Sequence, residues 1–184
     1  VKAMLETGIV PDFIVVDGTE GGTGAAPLEF TNHIGTPMIE GLTFVHNTLR
    51  GAGIRDRVRI GAASKLVTAF DISHALALGA DWCKSQRVAR FHANTLRAVA
   101  DMVGAAGLDN PAQLHPKHFN VRQNSGETVA GDVAYPEWPV GGLLDGTCDP
   151  EQMVRWSKAR ADTFREVGGE RRGKARRQVG AVTP

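Results

Sequence analysis

The order of apolar runs and helical stretches predicts an α/β fold with a parallel sheet. Residues 12–17 and 57–63 are short, almost continuous apolar runs bounded by turn residues, which is typical of strands buried on both faces. A helical stretch follows each run, at 38–50 and at 69–78, and a third short strand is predicted at 80–83. Strands that alternate with helices indicate βα units, which build either an open doubly wound sheet or a barrel.

The character of the sequence changes after Cys83. One long amphipathic helix is predicted over 84–104, followed by short pieces rich in proline. A last helix is predicted over 150–166, because Asp149 is a good N-cap and Pro150 suits the first helical position. The predicted parts are βα units over 1–83, a helical C-terminal extension over 84–167 and a basic disordered tail over 168–184.

Composition narrows the class of protein. The 184 residues are 42% hydrophobic and 22% charged, as in a globular chain, and the net charge of +1 favours no acidic partner. The basic run in 168–184 is interpreted as a solvated tail rather than a nucleic-acid site. No segment reaches the roughly 18 apolar residues that span a bilayer. Cys83 and Cys148 form neither a disulfide framework nor a metal motif, which favours a reducing, cytoplasmic location. Taken together, these observations predict neither membrane nor nucleic-acid partners.

The glycine-rich loop over 17–27 is the most informative stretch. It follows a predicted buried strand, and ligands of parallel α/β folds bind at the carboxyl ends of the strands. Gly21, Gly22 and Gly24 allow the backbone to approach a flat ring or an oxyanion closely. A ligand site is therefore favoured over a flexible surface loop. The loop has neither the lysine of a nucleotide P-loop nor the glycine order of a dinucleotide fold.

Other polar residues leave more than one interpretation open. Lys65, after the second strand, could place a positive charge near a flavin or an anionic substrate, or could simply be exposed. His33 with Asp17, or His46 with Glu40, could form an acid/base pair, although a structural role is favoured for each histidine. The spacing of His115 and His118 could suit a metal, but no third ligand lies nearby, so we predict no metal site at these residues.

Several stretches together resemble the FMN-binding glutamate synthase family. The similarity is carried by 11–30, 41–49 and 53–60, continues through parts of 65–83 and resumes at 87–96. It covers most of residues 1–110. Its most specific element is the Glu-Gly-Gly-Thr-Gly-Ala-Ala-Pro sequence of the loop, which is far more distinctive than a generic glycine motif.

The resemblance implies a (β/α)₈ TIM barrel that binds FMN, of which this chain holds about strands six to eight, followed by the helical extension. It implies an oxidoreductase acting on CH–NH₂ donors, which reduces the imine of 2-oxoglutarate and ammonia, or glutamine-derived nitrogen, to glutamate. In the full enzymes it also implies a 3Fe-4S cluster. The implied cofactor contacts are Gly21, Gly22, Thr23, Gly24, Ser64 and Lys65, and the implied substrate contacts are Glu20 and Asn47.

The sequence departs from the family at three points. The earlier barrel strands are absent, and a few dozen residues that include the cluster cysteines are missing at the junction of residues 83 and 84. Two cysteines cannot form a three-thiolate site. Ser64 stands where the family usually has glycine, which predicts strain if that position needs a positive φ or a close approach of the phosphate.

Two functional hypotheses follow. The chain is a fragment of an FMN-dependent glutamate-synthase-type enzyme, inactive alone, or it is a non-catalytic remnant that acts as a packing or assembly module. A third, weaker hypothesis is a generic α/β phosphate-binding domain unrelated to flavin. A three-stranded piece of barrel leaves a free edge, and we expect Ile14, Val16, Val58 and Ile60 to lack partners, which predicts self-association through that edge.

Overall fold

The computed structural model describes residues 1–18, 35–64, 66–84 and 89–163, and within these ranges it is a mixed α/β structure. The chain begins with helix α1 and the βα units, and a mixed C-terminal segment follows them. The helices are α1 Lys2–Thr7, α2 Met38–Gly51, α3 Ala69–Ala77, α4 Ala89–Ala105, α5 Gly131–Ala134, α6 Gly142–Asp145 and α7 Pro150–Lys158. The strands are β1 Phe13–Asp17, β2 Arg59–Ala63, β3 Trp82–Lys84, β4 Asn120–Arg122 and β5 Thr128–Ala130.

The first three strands form one parallel sheet in the order β1-β2-β3. Its register pairs Phe13 with Arg59 and Asp17 with Ala63, so β1 and β2 run side by side over their full length. Each crossover contains a helix, as the βα pattern predicts. The α/β class and the parallel sheet are therefore confirmed. Closure into a barrel lies beyond the three described strands.

Helices α2 and α3 cover one face of this sheet. Ile60 and Ala62 of β2 are fully buried there, with Leu42 and Leu49 of α2 and Ala75 of α3. Helix α3 starts at a capping box, because the Thr68 hydroxyl accepts from the Asp71 N–H and the Asp71 carboxylate accepts from the Thr68 N–H.

The prediction of unpartnered strand residues was wrong in its choice of face. Val58 and Ile60 are fully buried, and Ile14 and Val16 pack against the same core, because all four lie on the side that the helices cover. The opposite face is the more exposed one. It exposes Phe13, Val15 and part of Trp82, whose ring lies over Gly61 and meets the Phe13 ring edge-on at 6.3 Å.

Helix α4 packs against α3 through a stripe at helical spacing. Thr95, Val99 and Val103 are buried along this stripe, and Leu114 is buried in the same second core. The Ser73 hydroxyl of α3 lies 3.8 Å from the Met102 sulfur. The packing continues the core of the βα units into the C-terminal segment.

The C-terminal segment is less helical than the sequence predicts. Between Pro111 and Ala130 it contains two short 3₁₀ turns and the antiparallel hairpin β4–β5, which has no counterpart in the predicted helical extension. Helix α7 ends at Lys158 rather than at residue 166, and Ala159 is already extended. Proline at 111 and 116 limits regular helix there, which leaves room for the hairpin. Among the described residues no helix has the length and apolar character needed to cross a membrane.

Candidate functional site

The carboxyl ends of β1 and β2 bring two predicted ligand loops together. Asp17 pairs with Ala63, and the Gly18 N–H donates to the Ala63 carbonyl at 3.1 Å. The glycine-rich loop after β1 and the turn at Ser64 therefore leave neighbouring strands side by side. This edge of a parallel sheet is where backbone groups and loop side chains converge on ligands.

The chain after β2 is held to the core by Leu66. The Leu66 N–H donates to the Ser64 carbonyl at 2.8 Å, and the Leu66 side chain is buried in the core. No described non-glycine residue, Ser64 included, has a positive φ, so strain from a left-handed backbone does not arise at this position. Crowding of a bound phosphate by the serine side chain stays a prediction. The other predicted cofactor and substrate contacts at this edge lie outside the described residues: Glu20, Gly21, Gly22, Thr23, Gly24 and Lys65.

Asn47 lies on the later turns of α2, away from the loop edge. Gly41, near the start of this helix, faces Val16 of β1. Asn47 is six residues further on, about 9 Å along the axis at 1.5 Å per residue. Its side chain is only 5% exposed, and its amide donates to the Pro136 carbonyl at 3.1 Å and accepts from the Trp138 N–H at 3.1 Å. The structure therefore does not place Asn47 beside the loops, and its substrate role stays a prediction.

His46 belongs to a charged network at the opposite end of the sheet. Its Nδ1 accepts from the Arg55 Nε at 3.1 Å, and its Nε2 lies 3.7 Å from a Glu137 carboxylate oxygen. The hypothesis that His46 pairs with Glu40 was wrong, because residues six apart face different sides of a helix. Burial, together with the Arg55 charge, lowers the pKa of His46, which favours the neutral ring.

Arg55 and Asp81 complete this network at the amino ends of the strands. One oxygen of Asp81 accepts from the Ile60 N–H at 2.7 Å and from Arg55 at 2.9 Å, and the other accepts from Arg59 at 3.2 Å. Burial acts to raise the pKa of Asp81, but the Ile60 N–H bond and the Arg55 charge outweigh it and lower that pKa. The network ties β2 to β3, which is a stabilising role for this end of a parallel α/β sheet.

Among the residues that the structure describes, the thiols and the remaining histidines form no catalytic or metal cluster. Burial raises the pKa of Cys83 to about 11, so its thiol is protonated and inert at neutral pH. Cys148 is buried in the C-terminal segment. His115 lies 3.4 Å from Glu137, and its ring is near that of His118. Within the described ranges, no group of three or more histidine, cysteine or acidic residues is arranged to hold a metal ion.

Sequence reasoning missed Glu137, the hub that contacts His46, Arg50 and His115. Its contacts with α2 join residues that are far apart in the chain, and no local periodicity signals such a pair. The only hint is an acidic residue between a proline and a tryptophan in an otherwise irregular stretch. His33, the other histidine considered for an acid/base pair, lies outside the described residues.

Comparison with known proteins gives a consistent result. A family described as a conserved region in glutamate synthase matches residues 2–98. The glutamate synthase large subunit-like protein YerD of Bacillus subtilis is 41% identical over 96 residues, which are 52% of this chain and 18% of that protein. An archaeal glutamate synthase [NADPH] of Methanocaldococcus jannaschii is 41% identical over 70 residues, which are 38% of this chain and 14% of that protein.

The large chain of glutamate synthase [NADPH] from Bacillus subtilis is 44% identical over 70 residues, 38% of this chain and 5% of that protein. The chain thus spans less than a fifth of the length of each of these three relatives. The matched region includes the three parallel strands, α2 and α3, while most of the C-terminal segment lies beyond it. The family match covers more than half of the chain, and the chain belongs to the glutamate synthase family.

Proposed function

We propose that this chain is part of an FMN-dependent glutamate-synthase-type oxidoreductase and contributes the loop edge of β1 and β2 to its flavin site. The observation that carries the proposal is the juxtaposition of the two loop origins, since Gly18 bonds to Ala63 immediately before Ser64. The family membership supports the same assignment. The three strands would belong to a (β/α)₈ barrel, at about positions six to eight.

FMN fits this edge in two respects. The Gly18 and Ser64 backbones leave adjacent strand ends, so loop N–H groups from both strands can converge on one anionic group. Lys65, next to Ser64, would add a positive charge for the phosphate or for the electron-rich end of the ring. When bound in its reduced form, the flavin would supply the hydride that reduces the imine formed from 2-oxoglutarate and ammonia.

The residues of this chain would bind and orient rather than perform the redox step. Gly21, Gly22, Thr23 and Gly24 would lie against the flavin through the backbone, and Glu20 would face the substrate at the rim. An iron–sulfur cluster does not fit the chain, because its two cysteines cannot supply three thiolates and Cys83 is a half-buried, protonated thiol. We therefore assign no electron path through this chain.

The chain is proposed to be inactive alone. The described sheet has three strands, and a closed eight-stranded barrel needs five more to surround its ligand. The remaining barrel and the residues that grip the keto-acid would have to be supplied from outside these 184 residues. The alternative, a non-catalytic remnant that serves in packing or assembly, differs in one measurable property, which is retention of the flavin.

Titration of the purified chain with FMN tests the proposal. Flavin fluorescence and visible absorbance should change with saturation at micromolar FMN. Lys65→Ala should weaken binding about tenfold, which corresponds to about 1.4 kcal/mol, because it removes one charge near the phosphate. Lys158→Ala, at the exposed end of α7, is the matched control and should bind as the parent does.

Either failure has a distinct meaning. Absence of binding at millimolar FMN would reject the flavin role and favour the packing module. Saturable binding that Lys65→Ala and Lys158→Ala leave equally unchanged would reject the assignment of Lys65 while keeping flavin binding. If FMN binds, imine reduction by the chain alone should be undetectable, and turnover would contradict the proposed inactivity.

A further inference from the structure

Residues 136–141, here called the strap, cross the last two turns of α2. Three strap residues in a row make hydrogen bonds or ion pairs to that helix, and Gly141 makes one more through its N–H to the Arg50 carbonyl at 3.0 Å. The helix side of the contact comes from four residues, which we call the α2 seat. The seat comprises His46, Asn47, Arg50 and Gly51.

The strap backbone is held by the side chains of the seat. The Asn47 amide bonds Pro136 and Trp138 at once, and the Arg50 Nε donates to the Trp138 carbonyl at 2.7 Å. Because Asn47 is buried, loss of the strap would leave both halves of its amide without these partners. These bonds recognise the direction and register of a short peptide.

Two strap side chains add chemical selectivity. The Glu137 carboxylate lies 3.2 Å from the Arg50 guanidinium and 3.7 Å from the His46 ring. The Trp138 ring rests against Gly51, where an added Cβ would approach a ring carbon to 3.3 Å. The seat therefore fits an acidic residue followed by tryptophan. Pro136 and Pro139 restrict the backbone around this pair, which reduces the entropy lost on docking.

We propose that the α2 seat is a recognition site for this linear Pro-Glu-Trp-Pro sequence, and that the strap of a second copy of this chain can occupy it in exchange. The hydrogen bonds between seat and strap are made by residues 136–141 themselves, so they remain available to a separate peptide of this sequence. Outside the strap, His115 also contacts Glu137 and Leu143 packs against Gly51. Exchange of an identical element between two copies is a low-cost route to a dimer, because the contacts made are the same ones. The proposal concerns the C-terminal segment and is independent of the flavin.

The strap within the same chain competes with any second strap at an effective concentration on the order of millimolar. The test therefore weakens the internal strap and keeps the seat. The full-length Trp138→Ala chain is titrated with a fluorescent peptide of residues 134–142, and anisotropy is recorded. We expect saturable binding, at least tenfold weaker when Asn47→Ala is added, and at least tenfold weaker for a peptide with alanine in place of its tryptophan.

Two outcomes would overturn the proposal. One is no saturation up to about 1 mM peptide, and the other is equal binding with and without Asn47→Ala. If Trp138→Ala lowers helicity by circular dichroism, Glu137→Gln replaces it, because this change keeps the side-chain shape and removes only the carboxylate charge, which faces Arg50, His46 and His115. As an independent readout, equimolar Asn47→Ala and Trp138→Ala chains should form a mixed dimer by native mass spectrometry, and absence of that dimer would refute the exchange between copies.

Discussion

Gly79 is a position where a single added methyl group should lower the stability of the fold by a measurable amount. It follows the end of α3 with a φ of +104°, a backbone conformation that alanine rarely adopts. A Cβ at this position would lie 2.0 Å from the His46 Nδ1, far inside van der Waals contact. Gly79→Ala therefore imposes backbone strain and also displaces the His46 ring.

The magnitude follows from two contributions. Left-handed strain for a non-glycine residue is about 1–2 kcal/mol. Displacement of the ring breaks the bond from the Arg55 Nε to the His46 Nδ1, and a hydrogen bond to a charged group contributes about 1.5–3 kcal/mol. We expect Gly79→Ala to lower the free energy of unfolding by about 2.5–5 kcal/mol. At about 2–4 °C per kcal/mol for a chain of this size, the Tm should fall by roughly 5–20 °C.

Gly107→Ala is the matched control, measured by urea unfolding and thermal circular dichroism. Gly107 also follows a helix with a positive φ, of +73°, but nothing lies within 4 Å of its added Cβ. Its cost should be the strain alone, about 1–2 kcal/mol. In a His46→Ala background the cost of Gly79→Ala should fall to the same value. Equal costs at Gly79 and Gly107, or an unchanged cost without the His46 ring, would refute this reasoning.

Two further effects should be visible in solution. The unfolded chain protonates His46 near pH 6.5 while burial and Arg55 keep its folded pKa lower, so the unfolded state binds more protons and stability should fall as pH drops below about 6.5. In His46→Gln the free energy of unfolding, measured with urea, should depend less on pH between about 7 and 5. The pH dependence that remains includes the contribution of His74, whose pKa is also lowered by burial. Gly61→Ala should tilt the Trp82 ring, which lies 2.3 Å from the added Cβ, shift its indole NMR signal and reduce stability by about 1–3 kcal/mol.

These expectations can also fail in specific ways. A His46→Gln chain with the same pH dependence as its parent would show that His46 does not carry the acid sensitivity. An unshifted Trp82 indole signal in Gly61→Ala would mean that the ring does not rest on the β2 backbone. Gly104→Ala is the comparison for this variant, since its Cβ would meet nothing within 4 Å.

The sequence by itself determined the βα units and the parallel direction of their strands. Apolar runs, helical periodicity and turn residues are local signals, and a parallel sheet built from them must place its carboxyl ends along one edge. For this reason the juxtaposition of the loop after β1 with Ser64 could be predicted. The separation of His46 from Glu40 was also predictable, because six residues do not return to the same side of a helix.

Only the tertiary structure decided which distant groups meet. Asn47 pairs with Pro136 and Trp138, which lie 89 and 91 residues further on. No local sequence pattern, in the intervening hairpin or elsewhere, predicts a contact between residues so far apart. The helix-covered face of the sheet was likewise undecided, because apolar residues stand on both faces of β1 and alternation cannot rank them. Long-range packing selects among locally equivalent surfaces, and a single sequence records only the local preference.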